Sequence, residues 1–138
     1  MPAFGTVHHL NVSVTDLERS EAWYTNVLGL THGWEMEDVE GRGRKVVLLH
    51  PGEPMRIVLS RHQANDGEPF SEFRTGLDHL EFVVTQKADL HEWAERLDEL
   101  GIAHSGVKEL SYTENSMLTF RDPDNIQLEF FWRAQRVD

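Results

Sequence analysis

No cysteine occurs anywhere in the 138 residues, which excludes a disulfide framework and any thiolate metal centre. Any metal must then be held by nitrogen and oxygen. Basic residues are also scarce: 13 Lys and Arg stand against 24 Asp and Glu, a net charge of −11. Phosphate backbones and anionic bilayers are bound through surplus Lys and Arg, so this balance argues against nucleic acid and membrane as partners. The one basic run, Gly41-Arg42-Gly43-Arg44-Lys45, reads as a hairpin tip. Long apolar runs are missing too: none approaches the roughly 20 residues that span a bilayer. The N-terminus shows no charged-then-apolar leader, and a cytoplasmic protein is expected. The length suits one compact unit, or two small modules that complete a shared core.

What is present occurs twice. Thr6 to Val14 alternates, with Val7, His9, Asn11 and Ser13 on one side and His8, Leu10, Val12 and Val14 on the other. Asp16 is placed to cap a helix over Leu17 to Leu28, with Leu17, Ala22, Trp23 and Val27 as its apolar stripe and Gly29 to stop it. Three β-like segments follow, at Thr31 to Glu37, Lys45 to His50 and Met55 to His62. A polar stretch then carries Gly67, Pro69 and Gly76 without periodicity, and residues 63–76 read as a linker. The pattern restarts with a strand at Leu77 to Thr85. A helix at Lys87 to Leu100 carries Leu90, Trp93, Ala94, Leu97 and Leu100 at helical spacing and stops at Gly101. Segments near Ala103 to Lys108, Ser116 to Arg121 and Ile126 to Trp132 close it. The expected fold is α+β: two βαβββ modules, 1–62 and 77–138, whose curved sheets enclose a cavity.

The last strand is the informative one. Asp122-Pro123-Asp124-Asn125 is turn chemistry. It leads into a run where Gln127, Glu129 and Phe131 share one face and Leu128, Phe130 and Trp132 the other. A carboxylate set among apolar neighbours needs a cation, a donor set or water. If each helix covers the more apolar strand face, parity turns His9, Asn11, His79, Glu81, Gln127 and Glu129 away from the helices. His9 and His79 occupy equivalent first strands of the repeat. A lone strand histidine is more often a satisfied polar residue than a ligand. Three ligand-capable residues at matching parity shift that balance toward a divalent metal with coordination positions to spare. Fe2+, Mn2+, Zn2+, Ni2+ and Co2+ all accept such donors.

These motifs resemble the vicinal oxygen chelate superfamily, which includes glyoxalase I, extradiol dioxygenases, fosfomycin-resistance transferases and bleomycin-binding proteins. The resemblance spans nearly the whole chain. It is carried by the run from His9-Leu10-Asn11 to Arg19-Ser20, by Trp23-Tyr24 with Val27-Leu28-Gly29-Leu30, by Asp78-His79-Leu80, and by Asp122-Pro123-Asp124 leading to Glu129. It implies His9, His79 and Glu129 as metal ligands. The fourth ligand position of glyoxalase I falls near Val58, which cannot bind a metal, so a three-ligand site is closer to the dioxygenases and fosfomycin enzymes. The dioxygenase tyrosine before the turn is replaced by Thr119, and the glycine after it by Asn125. No clear phosphonate-binding cluster is present, with Arg56, Arg121 and Lys108 the available cations.

Three readings from different classes follow, the third being a structural or regulatory dimer with a vestigial cavity. The first is a metal-dependent enzyme that chelates a small oxygen-rich metabolite or aromatic substrate through two oxygens, as a dioxygenase, lyase, isomerase or transferase. Glu81, beside His79 on the same face, is then the candidate general base, and Tyr112 a candidate acid or substrate donor. Asn11, Trp34, Arg56, Thr119, Arg121 and Phe131 are the candidate substrate contacts. The second is a metal-free module that sequesters an antibiotic or aromatic metabolite on Trp34, Phe131, Trp132 and Tyr112. The resemblance also implies a homodimer, in which His9 of one copy joins His79 and Glu129 of the other; a monomer closing both modules on one site is the alternative.

Overall fold

Two compact units, Met1–Glu68 and Pro69 onward, make up the computed structural model, which describes residues 1–134. The expected second module runs to 138, so its last four positions lie outside the described residues. In the first unit the order is β1 (Leu10–Ser13), α1 (Leu17–Leu28), β2 (Thr31–Glu37), β3 (Gly43–Leu49) and β4 (Arg56–His62). The second repeats it with β5 (Leu80–Val83), α2 (Lys87–Glu99), β6 (Lys108–Glu109), β7 (Ser116–Arg121) and β8 (Gln127–Trp132). The sheets have equivalent strand orders, β1-β4-β3-β2 and β5-β8-β7-β6. In each, the first strand pairs in parallel with the last and the remaining pairs are antiparallel. The expected α+β class with two βαβββ modules is therefore observed. No helix among the described residues is long and apolar enough to cross a membrane.

Local chemistry sets the helix ends. Asp16 is extended at φ −140° and its carboxylate accepts the Arg19 amide at 2.9 Å, while Gly29 takes φ 70° and donates to the Thr25 carbonyl. Helix α1 buries Leu17, Ser20, Tyr24 and Val27. That corrects the expected stripe: Ala22 is exposed and Trp23 only half-buried, because the 3-4-3 spacing of the buried set follows the helical period more closely. Helix α2 starts where the Asp89 carboxylate accepts the Gln86 amide at 2.9 Å. Its face buries Leu90 and Leu97. Trp93 stacks on Phe130 with ring centroids 4.2 Å apart, and Phe130 also meets Phe120 at 5.2 Å.

Three strands are shorter than the alternation suggests. β1 and β5 begin only at Leu10 and Leu80, because their parallel partners β4 and β8 supply register only from Ile57 and Leu128. The expected strand at Ala103 to Lys108 reduces to a bridge between His104 and Phe120 and the two-residue β6. There Gly106 turns to φ 69° and breaks the extended run.

Gly43 faces the opposite constraint, since a Cβ there would run into the Arg61 carbonyl oxygen across the β3–β4 ladder. Gly43→Ala is expected to lower stability by about 1–3 kcal/mol through overpacking, read as a lower denaturation midpoint. Gly41→Ala at the neighbouring turn, where nothing lies within 4 Å of an added Cβ but φ is 64°, tests strain without the clash.

Candidate metal centre

In the second unit the parallel register sets Glu81 of β5 directly beside Glu129 of β8, and Thr119 of β7 on its other side. His79 immediately precedes β5, two residues before Glu81 on the same face. Helix α2 packs against the other face through the Trp93–Phe130 stack, so this one lies away from the helix and carries the polar groups together with Phe131, Val83 and Met117. One nitrogen of His79 and one oxygen from each of Glu81 and Glu129 lie within 4.8 Å of one another. Glu129 is buried at 4% exposure, His79 is half-buried and Glu81 opens to solvent.

The electrostatics suit a cation. His79 Nδ1 sits 2.6 Å from Asp78 Oδ1, and that bond is the main cause raising its pKa, with Glu129 and Glu81 adding to it. Desolvation, then the Glu129 charge, pushes the Glu81 carboxyl up, while His79 opposes the shift. Among the described residues Glu129 accepts one hydrogen bond, from Gln127 Nε2 at 2.6 Å, and has no Lys or Arg against it. One imidazole and two carboxylates, one of them buried with no Lys or Arg against it among the described residues, are a donor set that fits a divalent ion with nitrogen and oxygen preference.

The remaining predicted residues fall on both sheets. In the first unit His9 immediately precedes β1 and is exposed, its Nδ1 2.8 Å from His8 Nδ1. Asn11 Oδ1 accepts the Ser60 hydroxyl at 2.6 Å and pairs in register with Val58, which is buried. The Arg56 guanidinium lies 5.8 Å from the Trp34 ring centre and 3.5 Å from His8 Nε2. In the second unit Thr119 is held through its backbone by Ser105, Phe131 is half-buried on the Glu129 face, and Tyr112 is exposed in the turn before β7. Arg121 is tied to Glu72, Gln127 and the Asn125 carbonyl. A recess of about 470 Å³ in the first unit, lined partly by Glu18, Arg44, Arg61 and His62, contains none of these candidates. Its Arg44 is already paired with Glu18 and Glu35, each at 2.9 Å.

Glu81, expected as a general base, stands with its donor atom within 4.8 Å of those of His79 and Glu129, a proximity that follows from strand register and not from parity. One residue has no signal in the sequence. Glu72 lies in the aperiodic stretch and carried no signal, but it forms a forked ion pair with Arg121, nearest approach 2.7 Å. That bond holds the Glu72 carboxyl down to about 2, far below the ordinary 4.5. A carboxyl whose pKa falls on folding contributes stability in full above its ordinary value, and that contribution drains away as pH drops from about 4.5 towards 2. The melting temperature of wild type should accordingly exceed that of Glu72→Gln at pH 6, with the gap narrowing as pH falls below about 4.5 and closing only near pH 2.

Comparison with known proteins agrees with this architecture. Residues 6–130 match the Glyoxalase/Bleomycin resistance protein/Dioxygenase superfamily. A glyoxylase/bleomycin resistance protein/dioxygenase domain from Frankia sp. EAN1pec superposes with a TM-score of 0.85 at 33% identity, over 97% of this chain and 96% of that one. The Bacillus subtilis (strain 168) protein YwkD is 27% identical over 126 residues, 91% of this chain and 95% of its own. The fosfomycin resistance protein FosX from Listeria monocytogenes, in complex with Mn(II) and sulfate, shares the fold at 17% identity and a TM-score of 0.66, covering 97% of this chain and 96% of its own. With its duplicated βαβββ units and a family match over most of its length, the chain belongs to the Glyoxalase/Bleomycin resistance protein/Dioxygenase superfamily, the vicinal oxygen chelate group anticipated from its motifs.

Proposed function

We propose that this protein is a divalent-metal-dependent enzyme that acts on a small oxygen-rich molecule through two adjacent substrate oxygens. The observation that carries the reading is the convergence of His79, Glu81 and Glu129 donor atoms within 4.8 Å. The Mn(II) complex of FosX, which has the same fold, is consistent with it. In this reading His79 and Glu129 are ligands, Glu81 is the third donor from the same unit, and His9 is a further ligand from the other half of the repeat. A bound divalent ion supplies Lewis acidity, drawing developing negative charge off substrate oxygens.

The chain's own residues do the rest. Asp78 engages His79 Nδ1, fixing the imidazole's tautomer and leaving Nε2 as its free nitrogen. Gln127 holds one oxygen of Glu129. Glu81, if released from the donor set, is the candidate base: its raised pKa brings proton uptake closer to neutrality. Tyr112, Thr119, Phe131, Trp34, Arg56 and Asn11 remain the candidate donor and substrate contacts.

Elemental analysis and Mn(II) calorimetry on the purified chain test the reading. A divalent ion retained, or taken up at about one per complete site, supports it; no ion retained and no heat of binding with Mn(II), Zn(II), Ni(II), Co(II) or Fe(II) overturns it. The homodimer with shared sites is tested in the same assay by mixing His9→Ala and Glu129→Ala chains, since a shared site predicts partial recovery of binding in the mixture.

A further inference from the structure

A line of hydrogen bonds runs along one face of the second sheet and ends on the buried carboxylate. Glu72 Oε1 and Oε2 accept from Arg121 Nη2 and Nη1 at 2.7 and 3.3 Å. Arg121 Nη2 also donates to Gln127 Oε1 at 2.9 Å. Gln127 Nε2 then donates to Glu129 Oε1 at 2.6 Å. Only one orientation of the Gln127 amide meets both neighbours, because its oxygen must face the guanidinium and its nitrogen the carboxylate. A second bond from Arg121 Nη1, to the Asn125 carbonyl at 2.9 Å, fixes the guanidinium on the β7–β8 turn. The segment carrying Glu72 is itself pinned to that turn: the Phe70 amide donates to the Asp124 carbonyl at 2.8 Å, and Asn125 Nδ2 donates to the Phe70 carbonyl at 2.9 Å.

Both terminal nitrogens of Arg121 are committed, Nη1 to Glu72 and the Asn125 carbonyl and Nη2 to Glu72 and Gln127, and a planar guanidinium held at four acceptors is an anchor. The polarity of the line also matters. Charge on Arg121 polarises the Gln127 amide so that its N–H end strengthens towards Glu129, stabilising the anionic carboxylate without placing a competing cation on it. A direct Arg–Glu129 pair would instead neutralise the carboxylate and oppose metal binding.

We propose that Gln127 and Arg121 are positioning residues for Glu129, and that Glu72, on the segment entering the second unit, holds the far end of the relay. This rests on the reading of Glu129 as a metal ligand. It gives Arg121 a role different from substrate contact, and it ties the site's competence to how residues 70–72 are seated.

Mn(II) calorimetry on the metal-free full chain tests it, with circular dichroism checking the fold of each variant. Gln127→Met keeps the side chain's size and removes both bonds, and should weaken Mn(II) binding roughly 10–100-fold. Arg121→Met should weaken it several-fold. Because the two act in series, the double variant should bind within about twofold of Gln127→Met alone, whereas independent structural damage would multiply. Unchanged affinity in Gln127→Met, or multiplicative losses in the double variant, overturns the proposal. Should the wild type take up neither Mn(II) nor Zn(II), Ni(II), Co(II) or Fe(II), the metal reading fails, and the relay is judged on the metal-free chain by NMR. There Arg121→Met should move both the Gln127 side-chain amide and the Glu129 Cδ signals; a stationary Glu129 signal overturns the relay.

Discussion

Glu129→Gln is expected to raise the melting temperature of the metal-free chain while weakening divalent-ion binding by at least about 100-fold, a loss of roughly 2.7 kcal/mol. The two effects share one cause. Glu129 is buried, accepts a single hydrogen bond among the described residues, and stands beside a second acid whose own pKa it raises. Removing its charge relieves that repulsion and the desolvation of a carboxylate, on the order of 1 kcal/mol in favour of the fold. The same removal takes one charged donor from the set, and outer-shell changes alone commonly lower metal affinity 10–100-fold. With Mn(II) present at a large excess over its dissociation constant the order should reverse, since 100-fold saturation stabilises the wild type by about 2.7 kcal/mol. Thermal scans of both proteins, with chelator and with metal, measure all four states. If Glu129→Gln melts lower without metal and binds as tightly with it, the carboxylate is a structural group and the centre lies elsewhere.

His9 and Glu81 separate the two versions of the ligand set. A donor contributes to affinity directly, so loss of Glu81 to Ala should weaken Mn(II) binding if it coordinates and leave affinity nearly unchanged if it acts only as a base. His9→Ala reads the other half of the repeat. The structure brings three of the acid and imidazole groups together within one unit, and the resemblance adds His9; the paired titrations rank the two without assuming either.

How much of this was legible beforehand depends on where the controlling contact sits. The bounds of α1, β2 and β7 coincide with the sequence reading because their determinants are local: an Asp cap, a glycine stop, and alternation ended by turns. β1 and β5 were read too long because a strand's end is set by its neighbour, here β4 and β8, which lies far away in sequence. Parity did place His79, Glu81, Gln127 and Glu129 on one face. It did not say that Glu81 would stand beside Glu129, since that follows from parallel register. Glu72 was invisible for a different reason: its neighbours carry no periodicity, and only the Arg121 fork gives it a place. Asn125 illustrates the converse. It stands where the family's dioxygenases have glycine, yet it adopts φ 67°, a region asparagine enters more readily than most residues, so the turn survives the exchange.

Phe130→Ala should be the most damaging single change in the second unit, destabilising it by about 3–5 kcal/mol and lowering its melting temperature by on the order of 10 °C. Phe130 is 5% exposed and its ring is shared by three others: Trp93 at 4.2 Å, Phe120 at 5.2 Å and Phe82 at 6.1 Å. Truncation therefore removes the aromatic stack that joins Leu90 and Leu97 in holding α2 to the sheet, and it leaves a void bounded by rigid rings that cannot collapse to fill it. Phe131 is the control, one residue along and turned to the Glu129 face, half-buried beside Val83 and Met117. Its change to Ala should cost markedly less stability, and if it contacts substrate its effect will fall on turnover instead. Denaturant melts of the two variants distinguish the faces directly. Equal losses would mean that the helix does not define the core side of this sheet, and the orientation assigned to the acidic cluster would fall with it.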